Sequence, residues 1–539
     1  MKRLLSLIVG LVFTMQVLCA EWAEQTLQQL TLDEKIGQLL MVDAYANRPE
    51  NHVASIEQLI KNYHVGNIIF LQGNVETQVS WVNRLQAAAK YPLLVGQDSE
   101  WGLSMRLADT VRFPKNMTLG AIQDESLIYE VGKEIGKHCR AIGVHINFAP
   151  VVDINVNPDN PIIGVRSFGS DKHDVARKSM LFANGLRAGG VIACAKHFPG
   201  HGDTAIDSHE DLPVLHQGYQ RLWDEELYPF KAMINSGIPA IMTAHLSIPA
   251  MDRTPHQPST LSRKIVTDLL RKKLKFNGLV ITDAMNMKGV TKFYSPGQAA
   301  LQAILAGNDM IVIPIDIPDV VACIKKAVAD RTLSIQELDA HILRVLQVKE
   351  RVGLHKNRFI DQALVRSVID SDRAKKLKKI LYQEAITAVR DEQNLLPIKN
   401  MKHAGIIQVG GQHDEKLAGM CGGYVQITAV PTNEDIARVM QVIEQHEAII
   451  VVLYAIDKTM GFFGRIDSMS YELKNIFENF KSLDKKNCVI ACMSPYCLKF
   501  LAQQKTVIMA YENDPDALQA ALDLVVGKFV SSGRLPIVM

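Results

Sequence analysis

Short, almost unbroken apolar runs recur along the chain, separated by stretches whose apolar residues return every three or four positions. Runs at 66–71, 92–96, 146–152, 191–193, 240–243, 278–281 and 310–313 lack the in–out alternation of a half-solvated strand. Continuous Val, Ile and Leu character bounded by turn residues is that of strands buried on both faces. The stretches between them have helical length and amphipathic spacing, so the pattern predicts a parallel sheet with helices packed over it. The first helix is marked by Thr31-Leu32-Asp33-Glu34, a capping box, with Leu32, Ile36, Leu39 and Leu40 as its buried stripe. Ser334-Ile335-Gln336-Glu337 caps a later helix that runs through Arg351, and Gly353 ends it.

Polar residues gather just after the apolar runs: Gln97-Asp98, Asp153, Lys196-His197, His245 and Asp283. Chemistry spread over the C-terminal ends of many parallel strands is the layout of a TIM-type (β/α) barrel. An open doubly wound sheet would concentrate it at one switch point. Past residue 353 the pattern becomes irregular. A second set of strand-like runs then follows at 404–409, 449–453, 489–492 and 507–510, again alternating with helices. The expected organisation is a barrel over 21–355, a linker over 356–375 and a smaller α/β layer domain over 376–539.

Length agrees with two domains, since 539 residues exceed what one core usually holds. A net charge of +2 gives no reason to expect a nucleic-acid or membrane-surface partner. The first twenty residues stand apart. Lys2 and Arg3 precede a mostly apolar run to Leu18, and Leu18-Cys19-Ala20 leads into the polar Glu21-Trp22-Ala23-Glu24. This reads as a secretory signal cleaved after Ala20, which implies a periplasmic or secreted protein. The alternatives are an uncleaved anchor, although the run is short for a spanning helix, and a lipoprotein signal with Cys19 first, although Leu18 is larger than the small residue usual before it. No later run is long enough to cross a bilayer. Seven cysteines remain beyond Cys19, an odd number that cannot form a complete disulfide framework. Cys194 and Cys492 lie in apolar strands and read as buried thiols.

The densest chemistry lies at Lys196-His197-Phe198-Pro199-Gly200-His201-Gly202-Asp203-Thr204, followed by Asp207-Ser208-His209. Two glycines and a proline break regular structure directly after a buried strand, and functional groups concentrate on such loops. Asp207 and His209 read either as incidental loop charges or as a carboxylate orienting an imidazole. Asp283 reads either as a helix cap or as a reacting carboxylate. A metal site is disfavoured, because the spacing gives neither a helical histidine pair nor His-x-His.

These words resemble glycoside hydrolase family 3 in its β-N-acetylhexosaminidase branch. Ile281-Thr282-Asp283-Ala284-Met285 resembles the nucleophile strand and Arg166-Ser167-Phe168-Gly169 a sugar-binding segment. Asp98-Ser99-Glu100-Trp101-Gly102, with Arg106 beyond, resembles the first substrate loop. The resemblance implies a TIM-type barrel followed by an α/β sandwich domain. It also implies a retaining exo-acting hydrolase of N-acetyl-β-glucosaminides, acting on peptidoglycan fragments or chitin-like oligosaccharides without a cofactor. Asp283 is then the nucleophile, His209 the general acid/base and Asp207 its orienting partner. Asp98, Arg106, Arg166, Lys196 and His197 hold the sugar. Trp101 and Leu103 depart from the usual first loop, and Trp101 either stacks on a neighbouring sugar or packs beneath. The rival readings are a family 3 β-glucosidase, a phosphorylase and a non-catalytic glycan-binding surface protein. The β-glucosidase draws its acid from the second domain and lacks the Asp-Ser-His loop.

Overall fold

The computed structural model describes residues 21–204, 211–428, 430–454 and 486–538. Residues 1–20, read from the sequence as a secretory signal, and the pair Asp207 and His209 lie outside the described residues. The chain divides into two compact units. The first takes residues up to 112, 129–153 and 179–371. The second takes 113–128, 154–178 and 372–539.

The first unit is an eight-stranded parallel barrel. Its strands are β1 (Leu40–Ala44), β2 (Asn67–Phe70), β3 (Leu94–Gln97), β4 (Ile146–Asn147), β5 (Ile192–Phe198), β6 (Ala240–Thr243), β7 (Leu279–Thr282) and β8 (Ile311–Val312). They follow one another around the sheet in sequence order from β1 to β7, and β8 pairs with β1. Each strand sends alternate residues inward, so the barrel interior is filled by Met41, Ile69, Leu94, Ile146, Phe148, Ile192, Cys194, Ala240, Met242, Ile281 and Val312. Gly96 is required there, because a Cβ would lie 2.7 Å from the Phe148 ring.

The capping box forms as expected: Thr31 Oγ1 accepts from the Glu34 N–H, and the Glu34 carboxylate accepts from the Thr31 N–H. The helix it opens, Leu32–Gln38, is shorter than expected. Leu40, assigned to the helical stripe, instead begins β1. Strand β5 also continues further than the apolar run, carrying Lys196 and His197 on its last turns of pleat rather than in the following loop.

The seam between β7 and β8 closes the barrel. Thr282 N–H donates to Met310 O, and Asp309 N–H donates to Val280 O. Asp309 is wholly buried at this seam and is met from three sides. Its Oδ1 receives His341 Nδ1 at 2.7 Å and Arg344 Nη1 at 2.9 Å. Its Oδ2 receives Val280 N–H at 2.8 Å and pairs with Arg271. Burial pushes this carboxyl up, yet Arg271, His341 and Arg344 outweigh burial and bring it down to about 2.

The second unit is built on a six-stranded sheet. Its strands are β9 (Thr387–Asp391), β10 (Ala404–Val409), β11 (Gly423–Ile427), β12 (Ala448–Tyr454), β13 (Lys486–Cys492) and β14 (Thr506–Met509), in the order β11-β10-β12-β13-β14-β9. All neighbours are parallel except β14 and β9. Two earlier segments belong to this unit. Lys115 N–H and Thr118 Oγ1 both donate to the buried Glu512 carboxylate at 2.7 Å. Arg534 N–H donates to Ala121 O, and Ser170 N–H to Pro536 O, both at 3.0 Å.

The seven described cysteines are all unpaired, and burial raises the thiol pKa of both Cys194 and Cys492. Among the described residues no helix is long and apolar enough to cross a membrane.

The Asp309 clasp is open to direct test. Asp309→Asn leaves Arg271 and Arg344 without their counter-charge, and breaking such a pair costs about 3 kcal/mol. The expected result is a lower urea midpoint at neutral pH. The wild-type advantage is complete above the ordinary carboxylate pKa and declines as pH falls towards about 2, where Asp309 itself protonates. The gap between the two proteins therefore narrows under acid; a gap independent of pH would place the effect elsewhere.

Candidate active site

The polar side chains at the C-terminal ends of the barrel strands form two hydrogen-bonded groups and one carboxylate beside them. The first group begins after β3. Asn147, at the end of β4, clamps this loop with both atoms of its amide: Oδ1 accepts from Ser99 N–H at 3.0 Å and Nδ2 donates to Ser99 O at 3.1 Å. The loop then turns at Gly102, whose φ of +91° few side-chain-bearing residues adopt. That geometry aims Asp98 and Glu100 at the same cation. Lys196 Nζ, buried at the end of β5, lies 2.8 Å from Asp98 Oδ1 and 2.8 Å from Glu100 Oε1. Arg106 pairs with the other oxygen of Asp98. Burial raises the Asp98 pKa, but Lys196 and Arg106 more than offset it and hold the carboxylate well below its usual range.

The second group is organised by Asp153, which follows β4 and is buried. Its Oδ2 receives both the backbone N–H of His197 at 3.1 Å and His197 Nδ1 at 2.7 Å. Its Oδ1 receives the backbone N–H of His201 at 2.7 Å. Because a carboxylate only accepts, Nδ1 of His197 carries a proton and Nε2 is turned away from Asp153. The rings of His197 and His201 stand edge to face, with centroids 6.0 Å apart. Burial and the neighbouring His197 push His201 down to about 4, so it is neutral at pH 7. His201 Nδ1 lies 2.9 Å from Thr204 Oγ1. The peptides Lys196–His197 and Phe198–Pro199 are cis.

Asp283 directly follows β7 and is partly exposed, unlike the buried Asp153. Its backbone N–H donates to Thr243 O at 2.9 Å, and its Oδ1 accepts from Ala284 N–H at 2.8 Å. Burial acts to raise its pKa, but His197, His245, the Ala284 N–H and Lys196 together lower it below the usual carboxylate value. An ionised, accessible carboxylate among fixed donors is equipped for nucleophilic attack at an electrophilic carbon.

Of the residues singled out from sequence, Asp98, Arg106, Lys196, His197 and Asp283 therefore gather at the strand ends of the first unit. Arg166 belongs to the second unit, where its backbone carbonyl accepts from Asn116 Nδ2 at 2.6 Å and its side chain donates to Ile162 O. Trp101 is buried, with 5% exposure, and so offers no open stacking face. Asp153, Glu100 and Asn147 were not assigned a site role from sequence. Position was the available signal for Asp153 and Asn147, since both sit where β4 ends.

Comparison with known proteins gives this geometry a family. The profile of the glycosyl hydrolase family 3 N-terminal domain matches residues 31–348. The β-hexosaminidase A of Pseudoalteromonas piscicida is 30% identical over 416 residues, which is 69% of each protein. A β-N-acetylglucosaminidase/β-glucosidase of Cellulomonas fimi is 26% identical over 544 residues, covering 96% of this chain and 95% of the relative. Among solved structures, a glycoside hydrolase family 3 β-N-acetylglucosaminidase from Paenibacillus sp. str. FPU-7 superposes with a TM-score of 0.78 at 30% identity, over 94% of this chain and 99% of that one. A parallel barrel with an ionised carboxylate after β7, matched to the family over the barrel's whole length, makes this chain a member of glycoside hydrolase family 3.

Proposed function

We propose that the chain is a retaining, exo-acting β-N-acetylglucosaminidase that removes terminal N-acetylglucosamine from peptidoglycan fragments or chitin-like oligosaccharides. The observation that carries the reading is Asp283, a partly exposed carboxylate kept ionised beside Lys196 and His197. In this reading Asp283 attacks the anomeric carbon as the bond to the aglycone oxygen breaks, giving a covalent glycosyl-enzyme. His209 donates a proton to the departing oxygen, then accepts one from the water that releases the sugar. Asp207 holds the imidazole of His209 in the required tautomer. Asp98, Arg106, Lys196 and His197 bind the sugar through their charged donors and acceptors.

The preference for a 2-acetamido sugar is supported by the Lys196-to-His209 wording and by the names of the Pseudoalteromonas and Paenibacillus relatives. The Cellulomonas relative carries β-glucosidase in its name as well, which makes the glucoside the informative comparison substrate. The basic and apolar leader supports export to the periplasm or beyond.

Asp283→Ala is expected to abolish nearly all turnover while sugar binding persists. A 2-fluoro sugar bearing a good leaving group should label Asp283 covalently, and a label on another carboxylate would sink the assignment. Because Asp283 is needed ionised, kcat/KM should hold as pH falls through the ordinary carboxylate range and decline only below it.

An aryl N-acetyl-β-glucosaminide should be cleaved at least about tenfold faster than the glucoside, a difference of about 1.4 kcal/mol that a few hydrogen bonds supply. Equal rates would return the chain to the general β-glucosidases. Rates that rise with added phosphate, with a sugar phosphate as product, would identify a phosphorylase.

His209→Ala separates acid catalysis from nucleophilic attack. An alkoxide leaving a disaccharide needs a proton, whereas dinitrophenolate leaves unaided. Glycosylation should slow by about a hundred- to ten-thousandfold on the disaccharide and only slightly on the dinitrophenyl glycoside. Asp207→Ala should show the same contrast more weakly. Equal slowing on both substrates would assign the proton to another residue.

A further inference from the structure

The turn that carries Asp283 is held at successive backbone groups. Asp283 N–H donates to Thr243 O at 2.9 Å, and Met285 N–H donates to Val312 O at 2.8 Å, so neighbouring strands grip both sides of Ala284. Between those two points the Ala284 N–H donates to the reacting carboxylate itself. The Ala284 carbonyl is met by a side chain: His245 Nε2 lies 3.1 Å from Ala284 O. A carbonyl oxygen only accepts, so Nε2 carries the proton.

His245 is itself fixed. It sits two residues past β6, is 1% exposed, and its Nδ1 lies 2.9 Å from Thr260 Oγ1. The Thr260 backbone is pinned in turn, its N–H donating to Ala244 O at 3.1 Å and its carbonyl accepting from Asn308 Nδ2 at 2.9 Å. Asn308 Oδ1 closes the circuit by accepting from Thr243 Oγ1 at 2.9 Å, on the strand whose backbone carbonyl holds Asp283 N–H. Asn308, Thr260, His245, Ala284 and Asp283 thus form one continuous chain of hydrogen bonds, and its free end is the carboxylate.

We propose that His245 is the positioning residue of the nucleophile. Its imidazole, braced by Thr260, fixes the Ala284 carbonyl and thereby the direction in which the Asp283 carboxylate points. The attacking oxygen must lie close to the anomeric carbon and in line with the bond that breaks. Without His245 the Ala284–Met285 peptide is held on its N–H side alone, by Val312 O, so the turn beside the carboxylate can tilt without leaving the site. The carboxylate would still bind sugar and still be ionised, but it would spend less time in the attacking orientation. The role of His245 is therefore expressed in the rate of attack rather than in binding. This inference rests on the reading of Asp283 as nucleophile.

The test uses a dinitrophenyl 2-deoxy-2-fluoroglycoside with the full-length protein. Its leaving group needs no proton, so the maximal inactivation rate reports the attack of Asp283 without the acid. His245→Leu keeps bulk but loses the donor. It should lower that rate by between about ten- and a hundredfold, the scale of a small misplacement of a reacting group, with the half-saturating concentration changed less than about twofold. His245→Gln can still donate to Ala284 O and should recover most of the rate. Thr260→Val, which removes the brace and leaves the ring, should lower the rate in the same direction by less. It also supplies the measurement should His245→Leu fail to fold. Unchanged maximal rates in both His245→Leu and Thr260→Val, equal losses in the Leu and Gln variants, or an effect confined to half-saturation would each overturn the positioning role. A wild-type label on a carboxylate other than Asp283 would overturn the nucleophile reading first, before any variant is compared.

Discussion

A parallel sheet cannot end in water without exposing a row of backbone donors and acceptors, and this chain removes both edges by curling β8 back against β7. The closure is tight at both ends. At the start of the strands the buried Asp309 draws a guanidinium from the helix Lys264–Lys273 and an imidazole and guanidinium from the helix Ile335–Arg351 onto one carboxylate. At the far end Met285 N–H crosses to Val312 O, two residues beyond Asp283. Asp283, the proposed nucleophile, is therefore carried on one lip of the seam, and its placement inherits whatever precision the seam has.

The same economy of charge governs the site. Three carboxylates lie at strand ends in surroundings that penalise ionisation, and each is kept charged by a different means. Asp98 has two full cations, Asp153 has an imidazole and two backbone N–H groups, and Asp283 has the summed field of neighbours with one direct N–H. The difference matches the role proposed for Asp283. A nucleophile that must bond to carbon cannot be saturated by salt bridges, so its charge is stabilised at a distance and its second oxygen is left for chemistry. Lys196 illustrates the opposite design, since two carboxylates share it: its loss would leave Asp98 with Arg106 alone and take an ion-pair partner from the buried Glu100.

Much of this was legible before any coordinates. The barrel follows from apolar runs without alternation and from polar residues gathered behind them, and five of the named site residues come together. Misread elements share one cause, which is that local pattern does not report tertiary partners. Leu40 continues the helical spacing of Leu32 and Ile36, and only pairing with β8 makes it the start of a strand. The strands β9 and β11, Thr-Ala-Val-Arg-Asp and Gly-Tyr-Val-Gln-Ile, mix polar with apolar residues and show no continuous apolar run. Asp153 and His245 stood out by position, but an acid that orients a histidine and a histidine that braces a turn look alike in sequence. Their roles depend on which groups the barrel brings to them.

The second unit draws on three separate stretches of chain. Residues 113–128 and 154–178 are synthesised long before the strands they join, and the carboxylate that Lys115 and Thr118 donate to does not exist until residue 512. During synthesis these two early segments must leave the ribosome and wait for more than half of the chain. At the usual pace of roughly 5–20 residues per second, that wait is tens of seconds. The protein therefore depends on late closure between distant parts of one polypeptide. The C-terminal sequence acts as a completion signal: a chain cut short before Glu512 carries helix ends whose partners never arrive.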